Sequence, residues 1–62
     1  MRKEISNLLT QIYLRIGIDQ PSNHDQILDF VVNDVKETAD PEVWTSEDVN
    51  IAFRRFIESI NK

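Results

Sequence analysis

One histidine, His24, and no cysteine are available to this 62-residue chain for nucleophilic or metal chemistry, so carboxylates would have to do most of any catalytic work. Two carboxylate pairs have the spacing for it. Asp25 with Asp29, and Asp34 with Glu37, each lie about one turn apart on a helix. Such pairs perform general acid–base chemistry when burial separates their proton affinities, and are plain solvated charge on an exposed helix face. His24 has no evident serine or cysteine nucleophile system and reads as a packing or capping residue at the start of a helix. Zinc would need three further ligands from carboxylates or another subunit. Calcium would need alternating acids around a central glycine, whereas the lone Gly17 stands elsewhere, and no glycine loop could cradle a phosphate. No catalytic residue, cofactor or metal ligand is therefore expected, and the chain is not expected to be an enzyme.

Asn50, Arg54 and Arg55 raise a different chemistry, because these residue types read base edges and hold phosphates. A helix-turn-helix regulator using residues 46–60 is the alternative they define. Glu47 and Asp48 oppose it, since they occupy the first turn of the would-be recognition helix, where phosphates would approach. The plain alternative pairs Arg54 with Glu58 across one turn and leaves Arg55 solvated. Charge distribution also opposes nucleic acid. Asp19 to Asp48 holds nine acids against Lys36, a balance of −8, while the remaining six bases and two acids give +4, for −4 in all. An acidic middle favours a basic protein partner.

These side chains need helices to carry them. Ile5, Leu8, Leu9, Ile12 and Ile16 recur at three- and four-residue intervals, predicting a helix over Arg2–Ile16 that stops at Gly17. A second helix is expected over Ser22–Ala39, with Ser22 and Asp25 as a capping box and a stripe of Leu28, Val31, Val32, Val35 and Ala39, Ile27 on its border. Pro41 ends it, and Asp40 opens a short extra helical turn near residues 40–44. Thr45 caps the third helix, Ser46–Ile60, with Asp48 at its third position and Trp44 and Val49 as a hydrophobic staple. Its inner stripe runs through Val49, Ala52, Phe53, Phe56, Ile57 and Ile60. "WTSEDV", Trp44 to Val49, resembles the opening of sterile-alpha-motif domains; the segment is read as helix-start chemistry and no residue role is carried over. The expected fold is all-α, a single three-helix bundle spanning 1–62, with Trp44 roofing the core.

Three apolar residues fall outside these stripes. Ile51 points about 160° from the centre of its stripe, Leu14 is similarly placed, and Phe30 sits among polar neighbours. Single exposed apolar residues are common on soluble proteins. As interface anchors they would instead define two faces: Phe30 with Asp29, Asn33, Asp34 and Glu37, or Ile51 beside its arginines. The expected function is a small acidic protein-binding module, an adaptor or inhibitor of a larger basic partner such as a protein that acts on nucleic acid. A structural homodimerising domain is a further alternative. Phage and bacterial inhibitors and immunity proteins are similar in size and charge. No apolar run approaches the ~20 residues of a membrane span, so no membrane is expected, and the absence of cysteine fits a reducing cytoplasm.

Overall fold

The computed structural model describes residues 2–40 and 42–61. It forms three α-helices of 15 residues each, α1 (Arg2–Ile16), α2 (His24–Thr38) and α3 (Ser46–Ile60), with every pair in contact and no strand among the described residues. The three-helix bundle expected from the spacing is the fold.

Local chemistry sets each boundary. α1 ends in a Schellman motif: Gly17 takes φ +81°, its N–H donates to the Leu14 carbonyl, and the Ile18 N–H reaches back to Tyr13. A side chain at that positive φ would be strained, so the single glycine stands where the backbone needs it. α2 begins two residues later than expected. Ser22 is outside it, and Asn23 is the N-cap, with its carbonyl accepting the Ile27 N–H at 3.1 Å and no capping bond from its side chain. The preceding turn, closed by the His24 N–H on the Pro21 carbonyl, takes up Ser22 and displaces the capping box. At the other end Ala39 turns extended and stops α2. Pro41, the expected cause, lies outside the described residues. Asp40 accepts the Glu42 N–H on Oδ1 and the Val43 N–H on its carbonyl, giving a single hydrogen-bonded turn in place of a helical one. α3 starts as read, with the Thr45 N–H donating to Asp48 Oδ2 at 2.8 Å.

The core is drawn from all three helices. Ile5, Leu9, Ile12 and Tyr13 of α1 meet Ile27, Leu28, Val31, Val32 and Val35 of α2 and Val49, Ala52 and Phe56 of α3. Leu8, Phe30, Phe53 and Trp44 pack against this cluster half-buried, Trp44 as the expected roof. Three residues expected inside are outside. Ile16 is 55% exposed and Ile60 61%, because each is the last residue of its helix and overruns the packing of its neighbours. Ile57 is exposed because α3 is rolled to centre its buried arc on Val49, Ala52 and Phe56, which leaves Ile57 on the flank.

These differences fix the energetic ranking of the positions. Phe56→Ala empties a fully packed site and should cost ~3–5 kcal/mol, much of the stability of so small a domain. Ile60→Ala, at an exposed helix end, should stay within ~0.5 kcal/mol of the parent. Urea unfolding followed by the fluorescence of the single tryptophan measures both; equal losses would contradict the exposed placement of Ile60 at the end of α3.

Candidate interaction surfaces

His24 is buried where α1 meets the start of α2, and both of its ring nitrogens are engaged. Its Nε2 lies 2.9 Å from Ser6 Oγ and its Nδ1 3.1 Å from the Tyr13 hydroxyl, both from α1. A neutral imidazole donates from one nitrogen and accepts at the other, and a hydroxyl takes either role, so the trio is satisfied internally. Tyr13 also stands edge-on to His24 and to Phe53, at ring separations of 5.7 and 5.9 Å, which ties α1 to both neighbours. Sequence reading missed Tyr13 and Ser6, although Tyr13 follows Leu9 by four residues, on the flank of the stripe. The Ser6–His24 separation is that of a nucleophile and its base. Neither groove described below is lined by either residue. Among the described residues no three His, Asp or Glu side chains gather as metal ligands.

The acidic strip of α2 faces α3 more than expected. Phe30 is half-buried, with its ring edge-on to Phe56 at 5.4 Å. The Asp34 side chain is 16% accessible and accepts both of its bonds from Arg55 Nη1, at 3.0 and 3.2 Å. Asp29 pairs with Arg2 of α1. Asn33 and Glu37 remain on the exposed side. Arg55 is thus a cross-link to α2 and not a solvated charge, and the Arg54–Glu58 pair does not form among the described residues.

On the other side, α1 and α3 leave an open groove of about 510 Å³. Of its lining Ile12 is buried and Phe53 and Asn50 are half-buried, Ile16 and Ile51 stand exposed beside them, and Arg15 and Arg54 come one from each helix. A smaller hollow of about 130 Å³, reaching to Leu8 and Gln11, continues it along α1. Ile51, 42% exposed, therefore lines a concavity and does not stand alone on a convex surface.

No family model, curated protein or solved structure matches this chain. The surfaces themselves carry the functional reading. Of the trio that suggested DNA reading, Arg55 is held by Asp34, Asn50 is half-buried in the groove, and only Arg54 projects freely, with Glu47 lining the same groove. No described helix is long and apolar enough to cross a membrane.

The buried phenol has a consequence for alkaline pH. Burial pushes the Tyr13 hydroxyl above its ordinary value of 10.0, so the folded chain keeps a proton that the unfolded chain gives up. This contribution is complete below about pH 10 and is lost as pH rises through the folded value. Tyr13 is the only tyrosine, so phenolate absorbance reports it alone. Its titration should lie above that of the chain in urea, and Tyr13→Phe should remove this share of the alkaline loss. That variant leaves His24 Nδ1 short of a partner and should cost ~1–2 kcal/mol at neutral pH.

Proposed function

We propose that this chain is a non-catalytic protein-binding module, an adaptor or inhibitor in kind, that engages a larger protein through the groove between α1 and α3. The observation that carries the reading is the placement of two exposed isoleucines, Ile16 and Ile51, on one concavity together with Ile12 and Phe53. Interfaces concentrate their energy in a few apolar and Arg anchors seated in such hollows. Bundles also place their ligand sites between helices.

The basic-partner reading keeps a supporting observation of its own. Asp25, Glu37, Asp40 and Glu42 are exposed and have no cationic partner among the described residues. Their field would steer a basic surface toward α2, with Asn33 one turn before Glu37 and Asp29, held by Arg2, one turn before Asn33. Phe30 and Asp34 are the weaker anchors of that strip, since each already holds α3. Phe30→Ala would therefore lower stability as well as any affinity.

The test is a comparison of single variants for retention of a partner isolated from the native host and identified. Ile51→Asp should abolish retention by raising the off-rate, with helicity unchanged. Glu37→Lys should slow association and weaken its salt dependence while leaving the off-rate near the parent value. Loss in Glu37→Lys together with full retention in Ile51→Asp would transfer the interface to the acidic face. Tight duplex DNA binding at physiological salt, abolished by Arg54→Ala, would make the chain a helix-turn-helix regulator instead.

A further inference from the structure

The four arginines of this chain are used in two ways. Arg2 and Arg55 are spent internally, on Asp29 and Asp34, and fasten α1 and α3 to α2. Arg15 and Arg54 have no carboxylate or hydrogen-bond partner among the described residues, and both line the α1–α3 groove. Glu47 is the carboxylate on that groove, seven residues before Arg54 and so about 10 Å away along the helix axis. The groove is thus cationic toward Arg15 and Arg54, with Ile12 and Phe53 inside it beside the polar Ser46 and Asn50.

Its shape selects a helix. On α1, Leu8, Ile12 and Ile16 follow at four-residue intervals, the ridge against which a neighbouring helix packs. Leu8 and Ile12 line the smaller hollow beside Gln11, Ser46 and Asn50, while Ile12 and Ile16 line the larger one, so this apolar row runs for about two turns along a partly polar valley. An amphipathic helix laid there would insert side chains at three- and four-residue spacing and complete a four-helix arrangement.

We propose that the groove binds an acidic amphipathic helix of a partner protein, its apolar face on Ile12, Ile16, Ile51 and Phe53 and its flanking carboxylates on Arg15 and Arg54. The inference rests on the groove as docking surface and adds the chemistry of what fills it. A second copy of this chain fits poorly. The acidic helix it has to offer is α2, whose apolar stripe is already buried and whose Phe30 lies on Phe56. Nucleic acid fits poorly as well, because its phosphates would meet Glu47 and the exposed Ile16 and Ile51.

The experiment titrates the full chain, with labelled isoleucine methyls, against two designed helical peptides. Both carry leucines at three- and four-residue spacing; one has glutamates flanking the stripe and the other lysines. The glutamate peptide should shift the methyls of Ile12, Ile16 and Ile51 and leave Ile18 and Ile27 unmoved. It should bind about tenfold tighter than the lysine peptide, a preference that fades with salt. Arg15→Glu with Arg54→Glu, both at exposed positions, should reverse the preference while helicity is kept. Equal binding of the two peptides at the groove overturns the acidic assignment and spares the docking surface. Shifts confined to other methyls, or no binding by either peptide, overturn both. A concentration-dependent dimer that protects Ile16 and Ile51 would replace the partner helix with a second copy.

Discussion

α2 is covered from two directions, and the positions of the other helices follow from that. Ile27, Leu28, Val31, Val32 and Val35 spread its buried residues over an arc wider than one neighbour can close. α1 closes one flank, with Asp29 held by Arg2 and His24 held by Ser6 and Tyr13. α3 closes the other, where Phe30 lies on Phe56 and Asp34 on Arg55. Exposed ion pairs contribute little to stability, ~0–1 kcal/mol each, so the apolar arc supplies most of the energy. The ion pairs lie at the edges of these contacts, where Arg2 and Arg55 reach across to α2. α1 and α3 also meet each other, with Tyr13 edge-on to Phe53, and leave a valley open on their outer side.

That double coverage also explains what could be read in the sequence. Periodicity located all three helices because each carries an apolar stripe at helical spacing, and Gly17 and the Thr45–Asp48 pair marked boundaries through backbone chemistry that is local. A helical wheel, however, treats each helix as buried on one side. It places Phe30 outside and Tyr13 nowhere in particular, although both touch a second helix. Ile16 and Ile60 failed for another reason: a stripe in sequence has no knowledge of where its neighbours end in space. The α2 start was misplaced because Ser22 and Asn23 are both good caps, and the choice depends on the turn made by Pro21.

The same limit applies to the candidate site. Ile51 could be singled out as misplaced, but not matched to Ile16, since their meeting depends on how α1 and α3 are rolled. Nor could sequence tell spent arginines from available ones. Arg54 and Arg55 are adjacent and alike in type, yet a helix turns about 100° between them. One therefore reaches α2 and the other the open valley.

α2 is the middle helix of the chain and is packed against both of its sequence neighbours, and this bears on how the fold assembles. Both of its flanks are closed by sequence neighbours across short connections, so these contacts need little loop-closure entropy. Only the α1–α3 line joins elements that are not consecutive, and docking each of them on α2 brings the two together without a further search. Local contacts of this kind place helical bundles among the fast folders, on the scale of about microseconds to milliseconds. The valley, lined from both α1 and α3, is complete only when these two non-consecutive helices have docked.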